Sequence, residues 1–148
     1  MGLFDWSPIY EVGVPAIDGQ HRRLLGYLNE MFQAMVTDRG AVTVGVILDA
    51  LLAYAGDHFG NEEQILRLGG VDSTAHHKLH EELTARVVNL RIRHAAGEAA
   101  IDAAAIELLR GWLMDHILNE DSKYAAEMRR GAALLASGSA RVPQGRGE

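Results

Sequence analysis

Four stretches of this chain repeat their apolar residues at helical spacing, and each sets a histidine on its apolar stripe. Leu24, Leu25, Leu28, Phe32 and Met35 follow the 3.6-residue rhythm, with His21 on the same stripe. A second pattern runs through Val46, Ile47, Leu51, Tyr54, Ile65 and Leu66 and carries His58 and, one turn on, Glu62. The third holds Leu79, Leu83, Val87 and Leu90 and contains "AHHKLHEEL" (75–83). The fourth places His116 four residues after Trp112 and runs on toward Leu135. Helices of roughly 20 residues, each ~30 Å long, with short breaks between them predict an all-α, up-down-up-down four-helix bundle.

The punctuation supports that division. "TDRG" (37–40), "LGG" (68–70) and "HAAGEAA" (94–100) separate the four patterns. Residues 1–17 contain Pro8 and Pro15 and lack a helical period, so they predict an extended N-terminal arm that offers Phe4, Trp6 and Tyr10 for packing. Asp18 is the expected N-cap of the first helix. Residues 1–136 are expected to form one bundle with its arm, and 137–148 a disordered tail.

Composition narrows the function. Of 148 residues, 48% are apolar, which is enough for a sizeable core. The net charge of −6 argues against a nucleic-acid partner. The absence of cysteine removes thiolate chemistry and Cys-type metal sites, and fits a reducing cytoplasm. No apolar run approaches the ~18 residues of a membrane span, and the N-terminus lacks the basic start and apolar run of a signal peptide. The expectation is a cytoplasmic protein with no membrane insertion.

Burying one histidine without a partner is costly, and burying one from every helix multiplies the cost. A shared metal would satisfy them together. Alone, each feature has an ordinary explanation: a hydrogen-bonded histidine for His21, a surface i,i+4 pair for His58 and Glu62. Within "AHHKLHEEL", helical spacing allows His76 with His80 or His77 with Glu81. Five imidazoles with two carboxylates exceed what one structural zinc needs and suit two transition-metal ions. The absence of HExxH argues against a zinc protease, and the absence of a pair of ExxH motifs against a ferritin-like site.

The stretches "WSPIYEVGVPAIDGQH" (6–21), "HFGNEE" (58–63), "HKLHEEL" (77–83, with His76) and "WLMDHILNED" (112–121) resemble the hemerythrins, and more narrowly the single-domain bacterial ones. The resemblance spans residues 6 to about 124 in the family's order. It implies a four-helix bundle holding a non-heme di-iron centre that binds O2 reversibly, for storage, delivery or sensing. One iron would be held by His76, His80 and His116, the other by His21 and His58. Glu62 and Asp121 would bridge them together with an oxo or hydroxo group, and the His21/His58 iron would keep the position open to O2. Leu113 and Ile117, with Leu24 or Leu25 opposite, are the expected lining of an apolar O2 pocket. A di-iron enzyme on the same bundle (an oxidase, a peroxidase or a nitric-oxide-handling protein) is the alternative. Any delivery or signalling role would need a further protein partner.

Two departures from the family pattern carry structural consequences. The loop before the third helix reads "LGGVDSTAHH" and lacks the family's Tyr-Pro. Ungapped alignment selects His77 and Glu81; deleting one loop residue selects His76 and His80, keeps the HxxxH pair and is preferred. His77 is then a solvent-side residue or a support behind the ligands, and Glu81 a surface acid. On the fourth helix, regular geometry from His116 selects Glu120, whereas the resemblance selects Asp121 at i+5. A π-type widening between them would reconcile the two.

Overall fold

The computed structural model describes residues 4–37, 39–98 and 100–138. Helices α1 (Pro15–Val36), α2 (Ala41–Leu68), α3 (Thr74–Ala95) and α4 (Ala103–Asp115) form the bundle. A π-turn (His116–Glu120) and a 3-10 turn (Asp121–Tyr124) carry the fourth arm of the bundle into α5 (Ala125–Ser137). Among the described residues there is no strand. Helix α1 packs on α2 and α4, and α2 on α3 and α5. The expected tail falls mostly on 139–148, outside the described residues; Ser137 closes α5.

Helix α1 starts three residues earlier than the sequence predicts, because Pro15 occupies its first turn, where a missing N–H costs nothing. Asp18 is therefore not the N-cap. Its carboxylate reaches back and accepts the N–H groups of Val12 (2.8 Å) and Gly13 (3.1 Å), tying the arm to the helix start. The arm is also less extended than expected: Pro8–Tyr10 form a 3-10 turn. Asn29 pairs with both backbone groups of Phe4, and the guanidinium of Arg129 holds the Val12 carbonyl at 2.8 Å. Asp102 caps α4 through the Ala105 N–H.

Helix α2 corrects another expectation. Its most apolar 18-residue window has a mean hydropathy of 1.3, so by length and composition it is apolar enough for a span. In the bundle its Leu48, Leu51, Ile65 and Leu66 are buried against other helices.

The core is divided in two. A larger apolar cluster gathers Leu24, Leu28, Met31, Leu48, Ile106 and Ile117. A smaller one gathers Val12, Ile17, Ile65, Leu66 and Met128. Each long helix that contributes to both clusters places buried ionisable residues where the two meet: His21 on α1, His58 and Glu62 on α2, His116 and Asp121 on the fourth arm. A polar layer thus runs across the bundle between two apolar ones. Each fully buried Leu or Ile contributes roughly 1.5–3 kcal/mol, and this apolar burial on both sides holds the polar layer out of water.

Glycine permits the close approach of α5 to α2. A Cβ on Gly131 would sit 1.9 Å from the Ile65 carbonyl oxygen, and one on Gly69 would sit 2.0 Å from that of Glu127. Arg130 adds hydrogen bonds to the Gly69 carbonyl.

Candidate metal centre

Seven side chains converge in the polar layer: His21, His58, Glu62, His76, His80, His116 and Asp121, all buried. They are the seven that the sequence singles out. His76 and His80 point inward at 3% and 2% exposure, while the His77 side chain is 55% exposed and Glu81 lies at the surface. The structure thus turns His76 and His80, rather than His77 and Glu81, into the polar layer. The π-turn at His116–Glu120 brings Asp121 onto the face of His116, their Nε2 and Oδ1 atoms 3.0 Å apart. Glu120 turns outward to pair with Lys123 at 3.3 Å.

The two carboxylates divide their oxygens between two sets of imidazoles. Glu62 Oε1 lies 3.0 Å from His76 Nε2 and 3.1 Å from His80 Nε2. Its Oε2 lies 3.3 Å from His21 Nε2 and 3.5 Å from His58 Nε2. Asp121 repeats the division, with Oδ1 2.8 Å from His76 Nε2 and Oδ2 3.1 Å from His21 Nε2. One set is thus His76, His80 and His116; the other is His21 and His58.

Only some of these contacts have hydrogen-bond geometry: His76 Nε2 with Glu62 Oε1 and Asp121 Oδ1, and His80 Nε2 with Glu62 Oε1. His21 Nε2, Glu62 Oε2 and Asp121 Oδ2 are buried with no properly angled partner among the described residues. His80 Nε2 and His116 Nε2 are 3.0 Å apart, two ring nitrogens aimed at each other. Ligand atoms ~2.1 Å from one metal and at right angles to each other lie ~3 Å apart, which matches the observed separations. Glu62, His76, His80, His116 and Asp121 form one group that could hold a cation, and His21, His58 and Glu62 another. The donors are nitrogen-rich with shared carboxylates, a chemistry that suits transition metals better than magnesium or calcium.

The electrostatics show how much positive charge the layer draws. Burial opposes protonation of His21, His76 and His116, but the Asp121 and Glu62 carboxylates outweigh it and raise them to about 9, about 9 and about 10. Burial dominates at His58 and lowers it to about 4. Burial likewise favours the neutral acids, yet the surrounding imidazoles hold Glu62 well below the usual carboxylate range and Asp121 below it too.

Three supports lie behind these groups, and sequence patterning marks none of them. Gln20 Oε1 meets His58 Nδ1 at 2.6 Å. Glu63 meets His80 Nδ1 at 2.7 Å with one oxygen and His77 Nδ1 at 2.8 Å with the other. The ring of Phe59 stacks on His80 with centroids 4.0 Å apart. Gln20 and Glu63 adjoin His21 and Glu62 in the chain and fall within the quoted stretches 6–21 and 58–63, the signal the sequence offers for them.

An apolar cavity of about 40 Å³ lies on the larger-cluster side of the polar layer, lined by Leu24, Leu28, Phe59, Leu109, Trp112 and Leu113 among others. Phe59 joins the cavity to the imidazoles. Of the four residues expected around an O2 pocket, Leu24 and Leu113 line this cavity. Leu25 instead faces a surface cleft with Phe4, Tyr10 and Arg110, and Ile117 is packed in the core away from the cavity wall.

The model of the hemerythrin HHE cation-binding domain matches residues 12–128. The chain is 35% identical to a bacteriohemerythrin of Stenotrophomonas maltophilia, across 87% of this chain and 84% of that one. It is 32% identical to a bacteriohemerythrin of Pseudomonas aeruginosa, across 88% and 84%. A crystal structure of wild-type hemerythrin superimposes with a TM-score of 0.77 at 28% identity, covering 85% of this chain and 98% of its own.

Proposed function

This chain belongs to the hemerythrin family, and on that premise we propose that it binds O2 reversibly at a pair of irons. His76, His80 and His116 would hold one iron and His21 and His58 the other, with Glu62 and Asp121 offering an oxygen to each. The observation that carries this reading is the division of both buried carboxylates, each aiming one oxygen at each set of imidazoles. When bound there, a pair of ferrous ions would supply the two electrons that reversible O2 binding needs.

The side chains set the conditions for that exchange. Three imidazoles on one side and two on the other leave the His21/His58 side with fewer protein donors, and so with room for a ligand. The carboxylates offset much of the cationic charge in a layer shut off from water by the apolar clusters. The cavity beside Phe59 exceeds the ~10–15 Å³ one water needs, and its apolar wall suits a small uncharged gas better than water or protons. Restricting protons and water slows loss of the reduced state, which is what separates a carrier from an oxidase.

The test is an anaerobically reduced, iron-loaded protein followed spectroscopically through exposure to O2 and its removal. Recovery of the reduced spectrum over repeated cycles is expected. Irreversible oxidation, with turnover of an added reductant, would replace the carrier with a di-iron enzyme.

A further inference from the structure

The two sets of imidazoles are backed differently, and the difference falls on the side of the layer that has three of them. His80 Nδ1 meets a carboxylate, Glu63 Oε2, at 2.7 Å. His58 Nδ1 meets the neutral amide oxygen of Gln20 at 2.6 Å. His21 Nδ1 is buried and has no partner among the described residues. The Glu63 carboxylate is itself held in place: its second oxygen meets His77 Nδ1 at 2.8 Å, and His77 Nε2 lies 3.3 Å from Glu81. Glu63 is 9% exposed, one residue beyond Glu62 on the same helix, so its charge sits one imidazole away from the metal centre.

An imidazole can coordinate through Nε2 when its proton is on Nδ1 and a partner holds it there. A carboxylate does this more strongly than an amide and also pushes electron density through the ring. A side chain that is nearly buried, charged and joined to the ring by a short hydrogen bond has the geometry for both effects. We propose that Glu63 is a positioning residue of the metal centre, fixing the Nδ1–H form of His80 and making the His76/His80/His116 side the stronger donor to its metal. His77, the third histidine of "AHHKLHEEL", holds Glu63 in place and is not itself a ligand. This rests on the di-iron reading of the site.

Co2+ is the probe, added to metal-free wild type, Glu63→Gln and Glu63→Ala, with affinity measured against a competing chelator. The iron-loaded forms supply reduction potentials, and thermal unfolding of each metal-free form reports fold integrity. Loss of a partner behind a metal-bound histidine weakens binding by roughly 10–100-fold, and that loss is expected for Glu63→Ala. Glu63→Gln, which keeps an acceptor for His80 but not the charge, is expected to lose less affinity and to raise the reduction potential. Wild-type affinity and potential in both variants would overturn the proposal. So would an affinity loss matched by an equal loss of metal-free stability in Glu63→Gln, which would make Glu63 a structural residue. If the wild type itself fails to take up two ions, the di-iron reading falls first and this inference with it.

Discussion

Gly131 is where a single methyl group should cost the most. It is buried on α5 against α2, and a Cβ there would lie 1.9 Å from the Ile65 carbonyl oxygen and 2.9 Å from the Gly69 nitrogen. The obstacle is backbone on both counts, so no side-chain rotation relieves it. An ordinary carbon–oxygen contact of roughly 3.3 Å requires the helices to part by about 1.4 Å. Overpacking of this kind costs about 1–3 kcal/mol, and a rigid backbone contact belongs at the upper end. For a chain of this length each 1 kcal/mol moves Tm by roughly 2–4 °C, so Gly131→Ala should lower it by roughly 6–12 °C. Gly60 is the internal control: it is helical and exposed, and its Cβ would meet nothing within 4 Å. Gly60→Ala should raise stability by roughly 0.4–1 kcal/mol, chiefly by restricting the unfolded chain. Thermal unfolding of the metal-free proteins, followed by far-ultraviolet circular dichroism, measures both. A Gly131→Ala protein as stable as wild type, or a Gly60→Ala protein that unfolds earlier, would refute the reasoning.

The neighbouring histidines should behave oppositely: His76→Ala should abolish tight uptake of the second metal ion, and His77→Ala should reduce affinity only modestly, as measured by Co2+ titration. The same titration should find Asp121→Asn severely impaired and Glu120→Gln indistinguishable from wild type; equal effects would mean that the π-turn does not select between the two acids. Metal affinity should climb as pH rises toward about 9–10, because each metal must displace protons from His21, His76 and His116. Stability of the metal-free protein should run the other way. The raised values of these three favour folding fully below the unfolded value near 6.5, and that contribution is lost as pH rises through about 9–10. His58, lowered to about 4, adds a smaller opposite dependence, lost as pH falls from about 6.5 through 4. Urea unfolding across about pH 4–10, set beside metal affinity over pH 6–10, checks these slopes.

The sequence marks the side chains of the polar layer because a polar residue on an apolar stripe is anomalous, and four such anomalies on four helices point to one shared place in the bundle. It is less informative where the deciding quantity is a rotation. The choice between His76/His80 and His77/Glu81 depends on the phase of α3 after a five-residue loop, which spacing alone leaves open. The start of α1 is ambiguous in the sequence because Asp18 is both a good cap and a good reach-back acceptor, and the place of Pro15 decides between them. Gln20 and Glu63 are inconspicuous for a different reason. A polar residue behind a ligand lies off the apolar stripe, where polar residues are ordinary. Leu25 and Ile117 are apolar and close to the site, but periodicity says which face a residue occupies and not which gap it borders.

The π-turn also bears on how the fourth arm must be counted. One inward stripe of the arm runs Ile106, Leu109, Leu113, His116, then Asp121, Tyr124, Met128, Gly131 and Leu135, with Met114 and Ile117 buried beside it. The steps alternate three and four, except for one step of five across His116–Glu120. A single residue has been inserted into an otherwise unbroken heptad, and the turn absorbs it without disturbing the beat on either side. The metal-facing acid and the glycine that lets α5 touch α2 are therefore kept in time by the same irregularity. Were the arm wound regularly with every residue retained, everything beyond residue 120 would fall one beat out of step. Arg130, not Gly131, would then face the Ile65 carbonyl, and Glu120 would replace Asp121.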